Sequence, residues 1–253
     1  MKRPGVIALT HPGLRGDLLY SLPAARYLCG QRGVRCDFHT SRRCANLADL
    51  LRWQSFVRRV VICDDYYPEH AGCGLQPWLM PVHEESYDEV IHLGLRRTPE
   101  LSLPDWYCVE FGLPVGLPIR YDCPAPSPGP EGRRCVVASW AGFAQDRQAD
   151  FVRRCPVPVL QVGARGEPLI DPAVVDGRGV SYLEECSYLA GSAGYVGTLS
   201  SHLALANGFA MPRVVLVNGS DDERHRVHSP TGCGRRNLRR SWGRITSLVP
   251  RVH

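Results

Sequence analysis

Two rhythms of apolar and polar residues alternate along this chain. Short, nearly unbroken apolar runs are followed by stretches in which apolar residues recur every third or fourth position, the spacing of a helix with one buried face. In the first half the runs Val6–Thr10, Val34–His39, Val57–Cys63 and Tyr87–Leu93 predict strands, and helical spacing covers Asp17–Cys29, Arg43–Trp53 and Asp105–Phe111. Gly30 and Gly33 are expected to stop the first helix. In the second half Cys135–Trp140, Val157–Val162, Gly194–Val196 and Val214–Val217 predict strands, alternating with helical segments around Asp146–Arg154, Tyr182–Ala190 and Ser200–Phe209. Strands alternating with helices predict an α/β class with a parallel sheet in each half. Between the halves, the eleven residues Asp122–Gly132 hold four prolines and two glycines, which can continue neither a helix nor a central strand. The expected organisation is a domain over 1–123, a semi-rigid linker over 124–132 and a domain over 133–253. Two small doubly wound domains on a hinge would face one another across a cleft lined by strand ends, where such folds hold ligands.

Composition narrows the setting. The 253 residues are 44% hydrophobic and 22% charged, as in a soluble globular protein. No apolar run reaches membrane-spanning length. The residues Met1–Thr10 have too short an apolar run for a signal peptide, so a cytoplasmic location is expected. Eleven cysteines, an odd and scattered set without a C-x-x-C pair, read as reduced thiols. Cys63, Asp64, Asp65, His70 and Cys73 cluster, but at no zinc spacing, and no metal site is expected. The net charge of +5 is concentrated in a basic tail, Arg235, Arg236, Arg239, Arg240, Arg244 and Arg251. This tail reads first as a solvated helix and second as an attraction to phosphate-rich or lipid-borne substrates at the inner membrane face. No RNA motif or zinc finger accompanies it, so no nucleic-acid partner is expected.

The chemistry is concentrated where strands meet helices. His11-Pro12-Gly13-Leu14-Arg15-Gly16-Asp17 joins the first strand to the first helix. Gly13 and Gly16 let the backbone approach a ligand, Arg15 stands between them, and Asp17 sits where a catalytic base could be held. The plainer reading is an acid that favours the positive end of the helix dipole. The loop matches neither G-x-G-x-x-G nor the P-loop. In the second half, Gly194-Tyr195-Val196-Gly197-Thr198-Leu199-Ser200-Ser201-His202 repeats this logic. Thr198 or Ser200 is expected to cap a helix whose free N–H groups suit a phosphate, with Ser201 and His202 in its first turn. His202 could donate to a phosphate or sugar oxygen, or be an ordinary partly buried histidine. Gly163-Ala164-Arg165-Gly166-Glu167 follows a strand, and Glu167 could hold ribose or base hydroxyls. Ser139-Trp140-Ala141-Gly142-Phe143 follows another, with Arg147 beyond it as a cation for a leaving diphosphate. Both arginines, Arg147 and Arg165, could equally be surface charges.

Together these motifs resemble the glycosyltransferase family that includes the lipopolysaccharide ADP-heptosyltransferases, family 9. The family's Gly-Asp loop and Leu-Pro-Ala-Leu-Arg-like run are similar to Arg15–Leu28. Its strand plus Gly-Leu-Leu-Arg-Ser element is echoed by Val90–Thr98, and its His-x-Ala-x-Ala run with a following strand by His202–Leu216. The resemblance implies a GT-B fold: two Rossmann-like domains, acceptor on the first and nucleotide sugar on the second. It further implies an inverting transfer with no cofactor and no bound metal. Asp17 would be the base that deprotonates the acceptor hydroxyl, whether that acceptor is a saccharide, a lipid-linked saccharide or a small metabolite. The helix near Ser200, with His202, would face the diphosphate or donor sugar. The chain departs from the family where Gly197-Thr198-Leu199 replaces Asp-Ser-Gly, and where Arg147 is the nearest substitute for a lysine. Two other readings follow from these departures: a non-catalytic sugar-nucleotide-binding subunit and a GT-B-fold sugar-nucleotide epimerase.

Overall fold

A computed structural model describes residues 5–63, 82, 86–94, 101–127, 129, 132, 135–209 and 211–216. Asp64, Asp65, His70 and Cys73, the segment Leu95–Thr98 and the arginines of the basic tail lie outside these residues. The chain divides into two compact units, Met1–Cys123 and Pro124–His253.

The first unit runs β1 (Val6–His11), α1 (Arg15–Arg32), β2 (Arg35–Ser41), a 3-10 turn (Arg42–Leu47), α2 (Ala48–Trp53), β3 (Val57–Cys63), β4 (Glu89–His92) and α3 (Leu103–Glu110). Its four strands are parallel, in the order β3-β2-β1-β4. β1 is internal and every residue in it is buried, which is why its sequence shows no alternation. Leu18, Leu19, Leu22, Phe38, Leu50, Leu51 and Tyr107 are fully enclosed.

The first helix differs from expectation at its end. Gly30 lies inside α1, which runs on to Gly33, where a left-handed residue (φ 63°) returns its N–H to the last turn. Pro23 sits buried in the middle of α1. A helical proline removes the hydrogen bond to the carbonyl four residues back. Here that carbonyl belongs to Leu19, and the Tyr121 hydroxyl donates to it at 3.3 Å. The stretch expected as one helix over Arg43–Trp53 is instead a 3-10 turn followed by the short α2.

The second unit runs β5 (Val136–Ser139), α4 (Gln145–Arg154), β6 (Val159–Val162), β7 (Val175–Asp176), α5 (Tyr182–Gly191), β8 (Gly194–Gly197), α6 (Ser201–Gly208) and β9 (Arg213–Val215). All five strands are parallel, in the order β7-β6-β5-β8-β9. Val136, Ala138, Phe151, Val159, Ile170, Val196 and Val214 pack as one core. The two-residue edge strand β7 has no apolar run to announce it.

The passage between the units is pinned on each side. Asp122 accepts from the Ser55 N–H (2.7 Å), pairs with Arg26 (2.9 Å) and donates its own N–H to Gln54 (3.1 Å), all in the first unit. A few residues on, the Ala125 carbonyl accepts from the Ser187 hydroxyl (2.5 Å), and the Ser127 N–H donates to the Ser187 carbonyl (3.0 Å), both against α5. Gly191 ends α5 because a Cβ there would overlap the Ser127 carbonyl. The proline run is thus anchored along its first residues. Among the described residues no helix is long and apolar enough to cross a membrane.

Candidate active site

The loop after β1 is built by its neighbours. The Thr40 hydroxyl donates to the His11 carbonyl (3.1 Å), and the Cys44 thiol donates to the Gly13 carbonyl (3.3 Å). The Gly13 N–H donates to His11 Nδ1 (3.2 Å), so a neutral His11 carries its proton on Nε2 and donates it to the Tyr107 hydroxyl (2.9 Å). Complete burial holds the His11 imidazole at about 3, so it is uncharged in neutral solution. A Cβ on Gly13 would fall 2.7 Å from the His11 ring and 3.7 Å from Asp17 Cβ. Glycine is therefore needed where the ring and the acid converge.

Asp17 occupies the first turn of α1, whose N-terminal position, Leu14, has no side chain to cap it. The residue keeps some solvent exposure, yet crowding around its carboxyl raises the pKa from 3.8 to about 6, opposed by a backbone hydrogen bond from Leu14. The cause is desolvation of the charged form. Burial, followed by the Asp17 charge, pushes the Tyr107 phenol well above its ordinary value. Arg15 stands exposed at the helix start and Gly16 is half-buried. The first unit thus brings Gly13, Gly16 and Asp17 together and adds His11 and Tyr107, to which no sequence motif points.

In the second unit the loops after β5, β6 and β8 each carry expected residues. Buried Gln148 closes the first of them, accepting from the Ala141 N–H (2.9 Å) and donating to the Ser139 carbonyl (2.7 Å). Arg147, next in sequence, is exposed in the first turn of α4. Gln161 closes the second loop, donating to the Pro168 carbonyl and accepting from the Ile170 N–H. Gly163 has a φ of 129° and the Glu167 carboxyl fills the space where its Cβ would lie, so glycine is required there. Arg165 is exposed and packs beside Gly179.

The third loop corrects the expected cap. Ser200 does occupy the N-terminal position of α6, but neither it nor Thr198 caps the helix with its side chain. The Ser200 hydroxyl lies 3.2 Å from the buried Tyr195 hydroxyl, which also reaches the Ser139 hydroxyl at 2.6 Å. Tyr195 competes for the oxygen that would otherwise cap α6. The Ser200 side chain therefore gives no cap to the first N–H groups of α6. The same phenol explains Gly197: a Cβ there would overlap both Tyr195 Oη and Ser139 Oγ. An aspartate at this position has no room in this chain.

His202 is held from behind. Its Nε2 lies 3.0 Å from Glu185 Oε2, and its ring stacks on Tyr182 at 5.5 Å between centroids. The other oxygen of Glu185 accepts from the Gly163 N–H at 3.0 Å. Glu185 is not among the expected residues, although the sequence holds a signal for it. Tyr182, Glu185, Cys186 and Leu189 form the buried stripe of α5, and an acid within an apolar stripe is out of place. Among the described residues no group of three His, Cys, Asp or Glu side chains could hold a metal ion.

None of the known sequence families matches the chain, and no curated protein does. Solved structures do. The iron-containing dodecameric glycosyltransferase TibC from enterotoxigenic E. coli H10407 superposes with a TM-score of 0.55 at 16% identity, over 85% of this chain and 60% of that one. The chain therefore spans well under two thirds of that protein's length. E. coli ADP-heptose lipopolysaccharide heptosyltransferase II gives 0.57 at 13% identity over 98% of each chain. The glycosyl transferase family 9 protein of Veillonella parvula DSM 2008 gives 0.60 at 8% identity, over 84% of this chain and 80% of that one. Two parallel-sheet α/β units in this order and these likenesses assign the chain the GT-B-like fold of the family 9, heptosyltransferase-type glycosyltransferases.

Proposed function

We propose that the chain is an inverting glycosyltransferase that moves a sugar from a nucleotide-sugar donor to an acceptor hydroxyl. The observation that carries this reading is Asp17: a crowded carboxyl with a pKa of about 6, held at the carboxyl end of an internal parallel strand. A base with its pKa close to neutrality is ionised in neutral solution and still accepts a proton readily. The acceptor hydroxyl gives its proton to Asp17 while its oxygen attacks the anomeric carbon. The bond to the diphosphate breaks on the opposite face, which inverts the configuration. His11, uncharged and tied to Tyr107, does not compete for the proton.

The leaving diphosphate gathers negative charge. The uncapped N-terminus of α6, with Thr198, Ser200, Ser201 and His202 around it, offers N–H donors and a positive dipole end to that charge. Arg147 and Arg165 supply exposed cations from the two adjacent loops, and Glu167 takes the donor's ribose. In this reading the acceptor lies on the first unit, the nucleotide sugar lies on the second, and the transfer needs no metal. The solved neighbour E. coli heptosyltransferase WaaC was captured with an ADP-2-deoxy-2-fluoro heptose, and this supports a nucleotide sugar as the donor class.

The packing at Gly197 favours one competing reading, a sugar-nucleotide-binding subunit without catalysis, because the phenol of Tyr195 fills the place of the family's acid. A thermal-shift panel of nucleoside diphosphates and their sugars, run with a chelator present, separates the possibilities in two stages. A ligand at about a hundred times its dissociation constant stabilises by about 2.7 kcal/mol, several degrees for units of this size. The transferase reading requires one responding nucleotide and, with that sugar and an acceptor mixture, a product of inverted anomeric configuration. A response without transfer supports the binding subunit, and no response from any nucleotide overturns both.

A further inference from the structure

Glu185 belongs to none of the loops that carry the proposed donor site, yet it is the side chain that joins two of them. It comes from the first turns of α5, where the neighbouring acid is already occupied. Ser181 and Glu184 form a reciprocal cap at the helix start, the Ser181 N–H donating to Glu184 at 2.9 Å. Glu185 instead points inward, 3% exposed. An acid so enclosed is unusual unless both oxygens are engaged. Here Oε1 takes the Gly163 N–H from the loop after β6, and Oε2 takes His202 from the first turn of α6.

The pairing settles which atom of His202 is available. A carboxylate only accepts, so Nε2 must carry the proton that it donates to Glu185. Tyr182 stacks on the ring with 21° between planes and fixes its tilt. Nδ1 is then the ring nitrogen left over, and among the described residues it has no hydrogen-bond partner. With one proton on the ring, Nδ1 accepts from a hydroxyl. With two, it donates to an anionic oxygen.

We propose that Glu185 is a positioning residue for the donor. It clamps the Gly163 loop to α6 and holds His202 so that Nδ1 faces the ligand. The family's acid at Gly197 is sterically excluded, and Glu185 brings a carboxylate to the same region from a different element, acting through His202 and the Gly163 N–H. It is second in line from the ligand and touches it only through these two groups. This inference rests on the donor-site reading given under Proposed function.

The test has one arm that needs no ligand. In the full-length protein, nitrogen-15 NMR of the His202 ring should show the Nε2–H form in the wild type. In Glu185→Ala the ring should become a mixture of tautomers, and Glu185→Gln should move it toward the form with Nε2 unprotonated and the amide donating. A wild-type ring already mixed, or one unchanged in Glu185→Ala, overturns the proposal. The second arm titrates the responding nucleoside diphosphate by calorimetry at a temperature where all variants are folded. Glu185→Ala and His202→Ala should each weaken binding about tenfold, and the double variant should lose clearly less than the product of the two, because Glu185 acts partly through His202 and only the remainder through the Gly163 N–H. Losses that multiply in the double variant, or full affinity in Glu185→Ala with only its melting temperature lowered, also overturn it. A wild type that binds no nucleoside diphosphate defeats the donor-site reading itself, whatever the ring spectrum shows.

Discussion

Asp17 folds with its carboxyl crowded by the surrounding protein, and this desolvation raises its pKa from 3.8 to about 6. A carboxyl with a raised native pKa binds its proton more tightly in the folded state. Its contribution to stability is complete below pH 3.8 and falls as the pH rises through 6. Each tenfold gain in proton affinity is worth about 1.4 kcal/mol, and partial exposure of the carboxylate brings the total to roughly 1–2 kcal/mol. Asp17→Asn removes the cost of burying the ionised form, so it should be more stable than the wild type above pH 6. In urea unfolding series, the stability gap should widen between pH 4 and pH 6 and then remain constant. A gap that narrows over that interval would contradict the assigned environment. The loop was legible in the sequence because glycines and an acid between a strand and a helix form a local pattern. His11 and Tyr107 were not, because the Nε2–phenol pair joins residues 96 positions apart.

At the scale of elements, the alternation of apolar runs and helical spacing placed most strands and helices to within a few residues. The helix expected across Pro23 forms, because Tyr121, far away in sequence, donates to the carbonyl that the proline leaves free. The failures have physical causes. β7 is two residues long and is defined only by its partner β6. The expected cap of α6 fails because Tyr195 reaches Ser200 from within the sheet. That phenol gives the element scale its prediction. Gly197→Ala should destabilise the chain by about 1–3 kcal/mol through overpacking against Tyr195 and Ser139. In a Tyr195→Leu, Ser139→Ala background, which removes both oxygens and the Tyr195 ring carbon 2.6 Å from the added Cβ, the same change should cost clearly less. Chemical denaturation of the full cycle checks this, and penalties that add to within about 0.5 kcal/mol would show that the clash is not the cause.

At the scale of the molecule, two parallel-sheet units with the fold of heptosyltransferases divide the proposed chemistry between them. In the proposed reaction Asp17 of the first unit would be the base, and the groups that would meet the leaving diphosphate are on the second. That division is what the resemblance to family 9 implies, and the two strand–loop–helix motifs mark only where its residues would lie. The packing of Tyr195 against Gly197 and the enclosure of Glu185 were not legible in the sequence, since both depend on contacts between separate elements. If the division holds, damage to the base leaves nucleotide binding intact. The decisive measurement is therefore Asp17→Asn, assayed for transfer of the identified sugar and for affinity toward its nucleoside diphosphate. We expect kcat to fall at least about a hundredfold while affinity stays within about twofold, and wild-type kcat/KM to rise with pH through about 6. Transfer retained to within a few-fold in Asp17→Asn, or a matching loss of nucleotide affinity, would contradict the central claim.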